Sequence, residues 1–167
     1  MNKIMMKKGF TLIELLIVIA IMAIIASVIF VALNPLKRLQ DSRDSVRWQQ
    51  ASQILSAIKL YQIDNDGYNL QAISNMVAGN IYMIGTNTTG CDDQNAYCDS
   101  DVFSDTACVN LSGLVDSGYL SKVPISPNGS GVWYPATVGY TLSVSSTGVI
   151  FVRACESENS SEIELSR

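Results

Sequence analysis

Lys7-Lys8-Gly9-Phe10-Thr11-Leu12-Ile13-Glu14-Leu15-Leu16 runs without a break into an apolar segment that ends near Leu33. Three features meet here: a short basic leader, a Gly9-Phe10 junction, and a single carboxylate, Glu14, four positions beyond Phe10 in an otherwise hydrocarbon stretch. From Leu15 to Leu33 only Ser27 has a polar side chain, which meets the length and composition criterion for a membrane-crossing helix. A secretory signal peptide carries its cleavage site after the apolar core, in an A-x-A context. In this chain Val31-Ala32-Leu33-Asn34 passes straight into Pro35-Leu36-Lys37, and the candidate cleavage point precedes the core. A carboxylate at bilayer depth costs about 2.5–3.5 kcal/mol on insertion scales, so it is usually kept for a partner or a task. The plainer alternative places Glu14 at headgroup level in a simple anchor.

The run Lys7 to Glu14 closely resembles the class III leader and processing site of type IV pilins and of the pseudopilins of type II secretion. The resemblance is strongest over residues 7–33, looser to about Gly67, and one of general layout beyond. It implies that a membrane prepilin peptidase cuts between Gly9 and Phe10 and then N-methylates Phe10. It also implies that Glu14 attracts the new N-terminal amine of a neighbouring subunit during assembly. The physics agrees, because an unpaired amine inside an apolar bundle is expensive. A glutamate four positions along lies on the same helix face, so a subunit staggered by about one turn can offer its carboxylate to that amine.

Composition narrows the remaining classes. Removal of Lys3, Lys7 and Lys8 with the leader leaves eight basic residues against fifteen acidic ones, a net charge of −7. A chain that acidic is a poor non-specific binder of polyanions, and no specific nucleic acid is expected as a partner. Histidine is absent from the sequence, which removes His-based triads, His general bases and the commonest transition-metal ligand. Cys91, Cys98, Cys108 and Cys155 all follow the apolar segment, and an even count in an exported domain reads as two disulfides. The short span from Cys91 to Cys98 suits a local bridge, leaving Cys108–Cys155 as a long staple of about 3–5 kcal/mol. The other two pairings stay open. Disulfides also place the domain outside the reducing cytosol, consistent with leader lysines on the cytoplasmic side.

Taken in order, the chain then shows an interruption at Asn34-Pro35, since proline lacks a donor and disfavours helical geometry before it. Either one long helix bends here, the preferred reading, or a helix restarts with Asn34 as N-cap and Pro35 at its first position. Ala51, Ile54, Leu55, Ile58, Tyr61 and Gln62 mark a 3.6-residue face on a helix that runs to about Ile63. Lys37, Arg38, Arg43 and Arg47, interleaved with Asp41 and Asp44, read as a solvated or subunit-pairing stem rather than a DNA-binding stripe. Asp64-Asn65-Asp66-Gly67 terminates that helix; as a calcium loop it fails, because Asn75 stands where an EF-hand needs glutamate.

Residues 68–107 carry few signals beyond a short helix within 70–77 and an extended stretch at 80–84. Asp92, Asp93, Asp99, Asp101 and Asp105 cluster between Cys91 and Cys108 and read as a solvated acidic loop; Ca²⁺ is the alternative, and no metal is assigned. A short helix is expected at 109–117. Strands are expected at 132–136, 139–145 and 149–155, the last two joined by a turn at Ser145-Ser146-Thr147-Gly148. Alternation of Tyr140, Leu142 and Val144 with Thr141 and Ser143 suggests one buried sheet face. From Glu156 onward the polar, acidic tail reads as frayed.

These elements give an α+β architecture: a long N-terminal helix, half membrane-spanning and half amphipathic, packed on a small C-terminal antiparallel sheet. The divisions are a leader at 1–9, a hydrophobic helix at 10–33, a spine at 34–66 and a disulfide-bonded head at 67–167. By resemblance the chain is a structural subunit of a type IV pilus, without enzymatic activity or cofactor, that assembles into a helical homopolymer. The alternatives are a pseudopilin or a minor pilin of a DNA-uptake pilus. Major pseudopilins place calcium-binding acids after a proline-rich turn, whereas Pro124-Ile125-Ser126-Pro127-Asn128-Gly129 has no carboxylate. The implied partners are other copies, the prepilin peptidase, and an inner-membrane assembly platform with a separate cytoplasmic ATPase. The implied location is a single-pass inner-membrane precursor with an extracytoplasmic head, then an extracellular filament.

Overall fold

The computed structural model describes residues 9–167, so the leader lysines lie outside the described residues. The chain divides after Arg38 into two compact units. The first contains α1 (Leu12–Leu33), a helix in which no residue is buried. At 1.5 Å per residue its 22 residues extend about 33 Å, enough for the hydrocarbon core of a bilayer. Its one polar side chain after Glu14 is satisfied locally, since Ser27 Oγ donates to the carbonyl of Ile24 at 2.7 Å.

Asn34 leaves helical geometry altogether, at φ 39° and ψ 72°, and α2 (Pro35–Asp64) begins with the next residue. The side-chain oxygen of Asn34 accepts from the amide of Lys37 at 3.4 Å. The junction is therefore a cap and restart within one long run, with Pro35 at a position where a missing N–H costs no hydrogen bond. The helix ends where the glycine signal stands: Asp66 and Gly67 both take positive φ, and the Gly67 amide donates to Gln62 at 2.7 Å.

The second unit is built on the buried stripe of α2. Ala51, Ile54, Leu55 and Ile58 pack with Ile84, Leu114, Tyr140, Leu142, Ile150, Val152 and Ile163 in one core. Each fully buried Ile or Leu in that stripe contributes about 1.5–3 kcal/mol. The sheet has five strands among the described residues: β1 (Ile81–Ile84), β2 (Cys108–Val109), β3 (Tyr140–Val144), β4 (Ile150–Ala154) and β5 (Glu164–Ser166). Their spatial order is β2-β1-β3-β4-β5. Three neighbouring pairs are antiparallel; β1 and β2 are parallel. Short helices α3 (Gln71–Ser74) and α4 (Ser112–Asp116) and a 3₁₀ turn at Asn95–Tyr97 occupy the connections.

Several expectations are corrected. Residues 132–136 form no strand, only an isolated bridge between Tyr134 and Thr137, because this segment turns to bury Trp133. Gly139 sits at φ +77°, and a Cβ there would lie 2.5 Å from the Trp133 ring, so glycine is required. The helix expected at 109–117 starts only at Ser112, since Cys108 and Val109 are drawn into the sheet beside Met83 and Ile84. Both faces of β3 are covered, not one. Thr141 and Ser143 are buried as well, Thr141 in register with Met83 of β1 and Ser143 accepting from Arg153 at 2.8 Å.

The tail is ordered as well. Ile163 is fully buried and residues 164–166 pair with 151–153, so the acidic C-terminus closes one edge of the sheet rather than fraying. The disulfides join Cys91 to Cys108 and Cys98 to Cys155, not Cys91 to Cys98 and Cys108 to Cys155. The reason lies in backbone hydrogen bonds. The Cys91 amide donates to Asp105 at 2.9 Å and holds the loop entrance against β2, while the Asp99 amide donates to Cys155 at 2.6 Å and holds Cys98 against the end of β4.

Candidate functional site

Gly9 and Phe10 precede α1 in non-helical backbone, and Phe10 is 89 % exposed. A Cβ added to Gly9 would meet nothing within 4 Å, and Gly9 is not among the positive-φ glycines. Among the described residues nothing demands glycine at position 9. A requirement for it would come from whatever recognises the junction.

Thr11 ends the extended segment and caps α1. Its amide and its hydroxyl both donate to Glu14 Oε2, each at 2.8 Å, and the Glu14 amide donates to Thr11 Oγ1 at 3.3 Å. This is a capping box, in which two orphan donors of the first helical turn are satisfied reciprocally. Glu14 is thus not a lone carboxylate, since Thr11 is its partner. The signal was present, because Thr-x-x-Glu before an apolar run is the signature of that box. Within the isolated chain, then, Glu14 is held against the helix start, one residue from Phe10. Its other oxygen accepts no hydrogen bond among the described residues.

The second constellation was not anticipated as such. Arg47, expected on a solvated stem, is completely buried. Its guanidinium donates to Asp44 and Glu158 at 2.8 Å each, to Ser126 at 3.2 Å, to the Pro127 carbonyl at 3.1 Å and to Glu156 at 3.3 Å. Asp44 in turn accepts from the backbone amides of Glu158, Asn159 and Ser160, at 2.8–3.2 Å. Arg43 adds a forked pair of hydrogen bonds to Glu158. Glu156 also accepts from the amides of Ser130 and Gly131. The result is an ionic latch that fastens residues 156–160 to α2.

Electrostatics follow this geometry. Burial pushes the Asp44 carboxyl up, but the three tail amides and Arg47 outweigh it and hold it below its ordinary value. Hydrogen bonding from Arg43, against a smaller burial cost, holds Glu158 below its ordinary value as well. Positions 44 and 47 continue the spacing of Ala51, Ile54 and Ile58, so the periodic stripe extended further back than its apolar members.

In the disulfide loop, carboxylate oxygens of Asp92, Asp93 and Asp105 converge within 4.8 Å of one another. Asp99 lies apart, accepting from the Ser157 hydroxyl, and burial raises its pKa.

A family model described as the prokaryotic N-terminal methylation motif matches residues 4–30. The chain is also 46% identical over 61 residues to the type IV wide pilus major component PilA4 of Thermus thermophilus. That alignment takes in 36% of this chain and 45% of the relative, so the chain spans less than half the length of the curated relative it matches. No solved structure matches the chain significantly. The matched motif and the similarity to a pilus component liken the N-terminal part of this chain to type IV pilins, and a long helix followed by a mostly antiparallel sheet is a pilin-like arrangement.

Proposed function

We propose that this chain is a non-enzymatic structural subunit of a type IV pilus, cut between Gly9 and Phe10, N-methylated at Phe10, and polymerised through α1. The observation that carries this reading is α1 itself. None of its 22 residues is buried among the described residues, and it starts two residues after the Gly9-Phe10 junction. So much exposed apolar surface needs a bilayer or other copies to cover it. A helix that must leave the bilayer for a filament finds the second cover in the same helices of its neighbours. The precursor would be a single-pass protein of the inner membrane with residues 39–167 outside the cytoplasm, as two disulfides require. A prepilin peptidase, an assembly platform and a cytoplasmic ATPase would be its processing and assembly partners.

In this scheme Glu14 has two successive roles. Before assembly it closes the capping box with Thr11. During assembly it exchanges that contact, or shares it, with the amine at Phe10 of a neighbouring copy, which would otherwise be buried unpaired. The similarity to a protein named as a major pilus component favours a pilus over a secretion pseudopilus.

Two variants test the proposal. Gly9→Val should leave the chain at full length in the membrane and abolish sheared filaments, with the melting temperature unchanged. Glu14→Leu should still be processed, but its filament yield should fall at least about tenfold, the cost of an uncompensated buried amine. Filaments at the normal yield from either variant would overturn the reading.

A further inference from the structure

Phe103 is an apolar side chain left in an acidic setting. It is 63 % exposed, on the disulfide loop, with Asp101 and Asp105 two residues to either side. Asp105 also belongs to the group of three carboxylates that converge within 4.8 Å. Like charges that close repel one another. Among the described residues no lysine or arginine forms an ion pair with any of the three.

Elsewhere on the same unit is a hollow of opposite character. Its volume is about 290 Å³, and its walls include Ile84, Leu111, Val123, Pro135 and Val138. Lys122 is the single charged residue lining it. Arg43, Arg47 and Arg153 are each committed to carboxylates of their own unit, whereas Lys122 makes no ion pair among the described residues.

Knob and hollow cannot serve each other within one chain. The Phe103 amide donates to Ile81 at the start of β1, and the hollow begins at Ile84 and Gly85, where β1 ends. The length of β1, about 10 Å at 3.3 Å per residue, separates the two. An exposed apolar ring with an exposed aspartate two residues to either side in the chain, and an apolar hollow whose lining includes one lysine, are complementary in polarity and in charge. Two different complementary surfaces on one subunit make a head-to-tail contact, which propagates rather than closing on itself.

We propose that Phe103 of one copy seats in the hollow beside Lys122 of a second copy, with Asp101 and Asp105 paired to that lysine. This rests on the polymer reading above and deepens it, adding a contact between heads to the bundle of α1 helices. The phenyl ring supplies the buried anchor, and the ion pair at the rim sets the register and excludes the reverse fit.

The test uses the full-length protein in its native cells, with a photoreactive benzophenone amino acid at position 103. After irradiation, sheared filaments and washed membranes are analysed separately by peptide mass spectrometry. The expected result is an adduct between two copies, from residue 103 of one to the segment 122–125 or to Leu111 of the other. Lys122→Glu should lower its yield about tenfold, since like charges would then face each other. Asp101→Lys with Asp105→Lys should restore the yield in that background, which a merely structural role for Lys122 would not do. Adducts to another surface, to a different protein, or insensitive to Lys122→Glu would overturn the contact while leaving the filament intact. So would a yield regained by added Ca²⁺ instead of charge reversal. Absence of this chain from the filaments would overturn the polymer reading; the contact then stands only if the same adduct forms between copies in the membrane.

Discussion

Arg47 shows how much a single side chain can organise. It is buried among three carboxylates, a hydroxyl and a carbonyl, and its removal would leave Asp44 and Glu156 without their counter-charge and Glu158 with Arg43 alone. Breaking a buried ion cluster by deleting one partner costs about 3–5 kcal/mol. Arg47→Ala should therefore lower stability by that amount in denaturant unfolding of the detergent-solubilised protein, and a loss under about 1 kcal/mol would mean the latch is dispensable. Gly139 makes a second, unrelated demand. Gly139→Ala combines a positive φ with a Cβ set against Trp133, so it should destabilise by about 1–3 kcal/mol and disturb the tryptophan fluorescence.

At the scale of elements, the two disulfides interleave, Cys91–Cys108 spanning 17 residues and Cys98–Cys155 spanning 57. Loop-closure entropy assigns them about 3 and about 4 kcal/mol respectively. Peptide mapping without reduction should recover those two pairs, and a Cys91–Cys98 peptide would contradict the fold of the loop. The periodic helices and the hairpin of β3 and β4 were legible in the sequence because local patterns encode them: 3.6-residue spacing on α2, alternation in the strands, and glycine at Gly67 and Gly148. The disulfide pairing, β2 and β5 were not. Each depends on contacts between distant segments, such as the Cys91 amide with Asp105 or Ile163 with the main core, that no local pattern records. Arg47 and Asp44 are illegible for a different reason. Charge ordinarily means solvent, and only the geometry of residues 156–160 makes that pair a buried one.

For the whole molecule, the latch makes stability depend on pH in a definite direction. Asp44 and Glu158 have depressed pKa values in the folded state, so their contribution is fully present above the unfolded carboxylate range, about pH 4. It is lost as pH falls through their folded values. Asp99, raised by burial, titrates in the opposite sense and partly offsets the loss at its upper end. Thermal melts should show an acid-side decline that Asp44→Asn flattens; an unchanged decline would remove Asp44 from the latch. The head so fastened is the part a filament would expose, and α1 the part it would bury. That division follows from what each unit buries on its own: a full core in residues 39–167 and nothing along α1.

Intact mass spectrometry of filaments sheared from native cells decides whether this chain is cut, methylated and exported as a polymer, as proposed. The expected product begins at N-methylated Phe10 and is four hydrogens lighter than its reduced form, in keeping with two disulfides. A chain that retains Met1 to Gly9 and stays in the membrane of actively piliated cells would overturn that proposal.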